Sequence, residues 1–179
     1  MEMRKTLILI PFLFCLTHAW GQEKGTLEIG GSRHFRLVSV SSGLNPGVNG
    51  ASLHVEYTIP IQNFPDLKPG LEAGANGISN YLLFSAGIYD DFQLGESRFK
   101  VNYGVKTLQG AALFQQKGLY MFGLACEVGL DFKTVRNNEL GFFLQPLYIN
   151  SPAYSDYSLV HSYLDLHVGI SYGIQMGKH

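Results

Sequence analysis

The chain has 179 residues, a formal net charge of −1, and 46% hydrophobic against 15% charged residues. That charged share is well below the ~25% of an ordinary soluble domain, and the near balance of acids and bases leaves no basic excess to mark a nucleic-acid partner. After residue 21 no apolar run approaches the ~20 residues a membrane-crossing helix requires. A helical membrane protein is therefore excluded, whereas a β-structure with one face in lipid accommodates the composition.

In chain order, Arg4 and Lys5 form a basic segment, Thr6 to Leu16 an apolar one interrupted by Pro11, and Ala19 and Gly21 put small residues at −3 and −1 of a cut before Gln22. This is the three-part layout of a secretory leader, predicted over residues 1–21, with one domain over 22–179. Cys15 lacks the small residue expected just before a lipidated cysteine, because Leu13 and Phe14 precede it. Loss of Glu2, Arg4 and Lys5 with the leader takes the charge from −1 to −2, and Cys126 remains as the sole cysteine. Flanked by alternating apolar and small residues, Cys126 reads as a small buried or lipid-facing hydrophobe.

The remaining chain has a period of two. A first strand is expected over 26–40, bent or bulged at Gly30-Gly31, where the alternation loses phase. A second sets Leu53, Val55, Tyr57, Ile59 and Ile61 against Ser52, His54, Glu56, Thr58 and Pro60. Segments 70–75 and 81–90 read as two strands joined through the hairpin dipeptide Asn76-Gly77, or as one long bulged strand. Phe99, Val101, Tyr103 and Val105 then alternate with Lys100, Asn102, Gly104 and Lys106. From Tyr120 to Phe132 the even positions are apolar, and Met121, Gly123, Ala125, Glu127, Gly129 and Asp131 lie between them. A strand over 140–149 carries Pro146 near its end. The cleanest alternation sets Leu164, Leu166, Val168, Ile170, Tyr172 and Ile174 against Asp165, His167, Gly169, Ser171 and Gly173. With the hairpin at Asn76-Gly77 the count is eight, an even number that closes an up-and-down barrel. Counted back from a periplasmic C-terminus, connections 92–97 and 133–138 fall on the periplasmic side. The longer 107–118 and 150–158 fall outside.

Alternation alone does not say which face meets lipid. Strands of about 9–15 residues suffice for a tilted span of roughly 9–11 residues. The polar face mixes tiny residues with charges of both signs, as the crowded interior of an eight-stranded barrel requires. The predicted lumen network is His54, Glu56, Lys100, Lys106, Glu127, Asp131, Asp165 and His167. Tyr57, Phe99, Tyr120, Phe132, Tyr148 and Tyr172 stand near strand ends as candidate interfacial girdles.

On these features, the leader ending Gly21-Gln22, the alternating strands and the amphipathic last strand, the chain resembles the small outer-membrane β-barrel proteins of the OmpA/OmpX-like, porin-related superfamily, with the short Bacteroidota forms most alike. The resemblance covers the whole mature chain. It implies an all-β, eight-stranded antiparallel up-and-down transmembrane β-barrel in the outer membrane of a Gram-negative bacterium, with lipid and the barrel-insertion machinery as partners. The chain departs from that family at its last strand. Ile174-Gln175-Met176 and then Gly177-Lys178-His179 stand where an aromatic residue is usual, leaving Tyr172 and Ile174 to serve instead.

Candidate chemistry is sparse. Ser52, His54 and Glu56 share one strand face, and Asp165, His167 and Ser171 another, which supplies the residue types of a nucleophile–base–orienter set. Residues two apart on a strand are nearly ~7 Å apart, too far to hydrogen-bond along it, so a structural polar network is the expectation. A zinc site from His54, His167 and an acidic neighbour has the right donor types but no close-spaced ligand pair. His34 and His161 lie near loop ends and read as solvated. Accordingly no catalytic, metal or cofactor site is assigned. The expected role is structural or surface interaction around a plugged lumen. A lipid-modifying barrel enzyme, a small pore and a soluble lipocalin-like barrel with its apolar face inward are the alternatives.

Overall fold

The computed structural model describes residues 25–41, 49–76, 79–134, 138–157 and 160–176. The predicted leader over 1–21, Gly77 of the predicted turn, and Gly177-Lys178-His179 lie outside the described residues.

Eight strands follow one another: β1 (Gly25–Ser39), β2 (Asn49–Thr58), β3 (Asp66–Ala75), β4 (Asn80–Gln93), β5 (Phe99–Phe114), β6 (Lys117–Lys133), β7 (Glu139–Asn150) and β8 (Ser162–Met176). Each pairs antiparallel with its sequence neighbours, and β1 pairs with β8 to close the barrel in the order β1 to β8. The fold is therefore the predicted eight-stranded, antiparallel, up-and-down barrel. Closure leaves no edge strand with unpaired backbone groups. Segment 66–93 is two strands: Ala75 pairs with Asn80, and Asn76 Oδ1 accepts hydrogen bonds from the Ser79 amide and hydroxyl.

The two faces separate by chemistry. Leu53, Leu124 and Ile170 are 70%, 54% and 56% exposed on the outside, whereas Glu127 is 6% exposed and points inward. A lipocalin-like pocket needs the opposite arrangement, so that alternative is set aside. Cys126 faces outward with the apolar residues. Tyr57, Phe99, Phe132 and Tyr172 stand toward the barrel end that carries the termini of β1 and β8, and Tyr120 and Tyr148 toward the other. The Phe99 and Phe132 rings are paired across β5 and β6 at 5.2 Å.

Three expectations need correction. Pairing runs unbroken through Gly30-Gly31 to both β2 and β8, and the irregularity in β1 falls between Arg36 and Val38. The apparent loss of phase arises because Gly31 and Arg33, rather than large apolar residues, occupy outward positions. Segment 107–118 is not a loop. β5 runs on to Phe114 and turns through Gln115 and Gln116, whose φ values of 47° and 64° make the two-residue turn that matches strand twist. Its inward positions there are Leu108, Gly110 and Ala112, apolar or tiny, which blurs the alternation. Finally, Pro146 lies inside β7, not at its end. It pairs with Leu166 on β8, and the β6–β7 ladder is interrupted opposite it, between the Ala125–Leu147 and Val128–Leu144 pairs, as its missing N–H requires.

Candidate functional site: the barrel interior

Inward positions recur at every second residue, so each strand contributes a column of side chains, and the columns assemble into tiers. Nearest the terminus end, Lys100 Nζ lies 3.4 Å from Asp91 and Glu139 carboxylates and 3.8 Å from Asp131, which accepts a 2.7 Å hydrogen bond from Asn102 Nδ2. Beside this tier Lys68 Nζ donates to Glu28 at 2.9 Å and sits 4.4 Å above the Tyr89 ring. A polar vestibule of about 140 Å³, lined by Glu28, Asp66, Lys68, Lys100 and Asp131, opens here.

One tier further in, Lys106 Nζ is shared by Glu56 at 2.9 Å and Glu127 at 3.2 Å, and Tyr89 donates its hydroxyl to Glu127 at 3.2 Å. All of these groups are buried. Ions this far from bulk water persist only when paired and hydrogen-bonded. Across the closing seam, Arg36 Nε donates to Asp165 at 2.7 Å, and its guanidinium lies 3.6 Å above the Tyr163 ring.

Between these tiers is a histidine group. His34 and His167, opposite one another on β1 and β8, stack with ring centroids 3.6 Å apart and planes 4° from parallel. His34 Nε2 lies 3.0 Å from Ser52 Oγ, and Tyr81 donates its hydroxyl to Glu72 at 3.0 Å. A Cβ at Gly50 would run into the His34 ring, so the absence of a side chain there is what admits the imidazole.

Toward the end opposite the termini, on the β4–β7 side, the interior changes character. Leu83, Leu108, Met121, Leu147, Ile149, Val160 and Tyr163 form a buried apolar cluster, with Phe114 and Tyr157 packed against it. Tyr157 comes from a short 3-10 helix over Pro152–Tyr157, within the long connection between β7 and β8.

All eight residues predicted for the lumen network point inward. Glu56, Lys106 and Glu127 form one cluster, Lys100 and Asp131 another. Asp165 pairs with Arg36, and His167 lies with Glu72. His54 makes no ion pair with these groups among the described residues; its ring meets Phe143 edge-on at 5.3 Å. As their spacing implied, the two strand-face sets do not assemble into nucleophile–base–orienter groups. Ser52 instead contacts Ser32 Oγ at 2.9 Å and His34, and with Ser52 6% and His34 3% exposed, no acyl substrate reaches that pair. His34 is thus not solvated. Sequence reasoning also missed Glu28, Arg36, Lys68, Glu72, Tyr81 and Tyr89. His34 and Arg36 share the phase of Glu28 and Ser32, and an unbroken count through Gly30-Gly31 would have found them.

The structure resembles the crystal structure of Neisserial surface protein A with a TM-score of 0.63 and 13% identity, over 87% of this chain and 100% of that one. A structure from the de novo design of transmembrane β-barrels gives 0.45 with 12% identity over 86% and 98% of the two chains, and the KdgM porin 0.26 with 12% identity over 87% and 99%. No protein-family model and no curated protein matches the chain. What the first likeness shows, at that identity, is the fold: a closed antiparallel β-barrel extending over almost the whole of both chains.

Proposed function

We propose that this protein is an outer-membrane β-barrel of a Gram-negative bacterium, exported by its 1–21 leader, with a structural or surface-interaction role and no catalytic step of its own. The observation that carries this reading is the pairing of an apolar outer face with a closed interior filled by compensated charge and an apolar cluster. In water such an outer face would be an aggregation surface; in a bilayer it is the solvated one. Strands of 10–17 residues are long enough to cross at a tilt. The likeness to a surface protein supports the same placement, as does the resemblance to the OmpA/OmpX-like superfamily and its Bacteroidota forms. With the termini of β1 and β8 on the periplasmic side, the opposite end of the barrel, where the Pro152–Tyr157 helix lies, is the side available to a partner.

The test is fractionation of the producing cell by density gradient, with heat-modifiable gel mobility as the readout of a folded barrel. Recovery with outer-membrane markers in a salt-resistant form is expected; recovery in the washed soluble fraction overturns the placement. In planar bilayers the purified barrel is expected to stay electrically silent, and a large, stable conductance would reassign it as a pore.

A further inference from the structure

Four carboxylates are buried in the described interior: Glu56, Glu72, Glu127 and Asp165. Three of them have a lysine or arginine within salt-bridge distance. Glu72 is the exception. The basic groups beside it are imidazoles: His167, whose Nδ1 is 3.8 Å from Glu72 Oε1, and His34.

Two further facts make this exception informative. His167 is 1% exposed, and its Nε2 has no hydrogen-bond partner among the described residues. His34 lies flat against it at 3.6 Å. Suppose His167 were a cation balancing Glu72. The 3.8 Å separation is too long for a hydrogen bond, and Nε2–H would be buried without an acceptor, at a cost of roughly 1–3 kcal/mol. A neutral His167 leaves Glu72 with the Tyr81 hydroxyl as donor and, among the described residues, no lysine or arginine within salt-bridge distance. Neither protonation state satisfies the group by itself.

A bound cation satisfies it. One ligand atom each from His34, Glu72 and His167 lies within 4.8 Å of the others. Two donors on one tetrahedral zinc stand roughly 3.4 Å apart, given bonds of about 2.0–2.1 Å, so the three need to close by little more than an ångström. We propose that His34, Glu72 and His167 form a binding site for a divalent transition-metal ion of the zinc class.

The donor set, two imidazoles and one carboxylate, is one that zinc accepts while keeping a fourth position open. Its surroundings supply the supporting hydrogen bonds that orient metal ligands: Ser52 Oγ against His34, and the Tyr81 hydroxyl donated to Glu72. Parallel rings do not aim their lone pairs at one point, so loading tilts the two imidazoles apart about their side-chain bonds. The ion would tie β3 to both strands of the closing seam, β1 and β8. Because the site is sealed within the lumen, it is best filled as the barrel folds. His54, on the adjacent strand, is not a ligand; it is the built-in control.

The test is to refold the full mature chain into detergent micelles with Zn²⁺ or Co²⁺ present, remove excess metal, and measure bound metal and the visible Co²⁺ spectrum. One ion per chain and a four-coordinate Co²⁺ spectrum are expected. His34→Ala, Glu72→Gln and His167→Ala should each weaken retention at least about tenfold, by the loss of one of three protein ligands. His54→Ala should stay within about twofold. No retained metal, or equal loss in His54→Ala, overturns the site. If a ligand variant does not reach the heat-modifiable folded form, X-ray absorption on the zinc-loaded unaltered chain decides instead. Two imidazoles and one carboxylate support the assignment, and any other protein ligand set overturns it.

Discussion

The two halves of the barrel interior solve the same packing problem by opposite means. On the terminus side the lumen is filled by Lys68, Lys100 and Lys106 interleaved with Glu28, Glu56, Glu127 and Asp131. Toward the opposite end, on the β4–β7 side, it is filled by Leu83, Leu108, Met121, Leu147 and Ile149. The backbone is the same continuous ladder throughout. The difference teaches that a closed eight-stranded wall dictates how much volume must be filled but not with what chemistry. The charged half holds only while every ion has its counterpart, whereas the apolar half holds by shape.

The largest expected effect comes from breaking the charged half at its centre. Lys106→Met leaves Glu56 and Glu127 buried without their shared cation and is expected to destabilise the refolded barrel by about 3–5 kcal/mol, read from reversible denaturant titration in micelles. Replacing all three together, Lys106→Met with Glu56→Leu and Glu127→Leu, is expected to restore most of that loss, since removing a whole buried ion group is often close to neutral. If the triple variant is as unstable as the single one, the charged half holds by shape as well and the contrast fails.

In the apolar half, Leu147→Ala removes a fully buried side chain and is expected to cost about 2–5 kcal/mol by cavity formation, with no change in salt dependence. On the outer face, Leu124→Lys should cost about 2–4 kcal/mol in a lipid bilayer if it lies near the midplane. Leu124→Ala should have a far smaller effect than Leu147→Ala, because Leu124 stands on the exposed outer face rather than in packed protein. Equal costs for the two alanine variants would contradict an outward Leu124. The smallest effect belongs to Lys100, whose side chain is 29% exposed among three carboxylates. Lys100→Ala is expected to cost at most about 1 kcal/mol, falling further as salt is raised. A loss as large as that of Lys106→Met would mean that the vestibule tier is as dry as the centre.

Legibility in the sequence followed this contrast between the halves. β2, β6 and β8 alternate cleanly because along most of their length outward apolar residues face inward polar or tiny ones. β7 reads weakly because both of its faces are apolar toward its end: Leu144, Tyr148 and neighbours look out while Phe143, Leu147 and Ile149 look in. The apolar cluster went unrecognised for that reason. Met121 and Ala125 were visible as positions on the polar face of β6, but nothing local says that Leu83, Leu108 and Leu147 meet them across the lumen.

The period of two, and with it the opposite directions of the apolar residues and the eight polar ones along their strands, was legible in the sequence alone. Both depend only on the pleat, which sends successive side chains to opposite faces. Tertiary structure alone decided who meets whom. Lys106 reaches Glu56 across the lumen, Arg36 finds Asp165, and His34 and His167 stack over Glu72 because the register at the β1–β8 seam brings the first and last strands side by side. Cross-lumen neighbours are set by closure and stagger, and those are properties of the whole ring of strands rather than of any one of them.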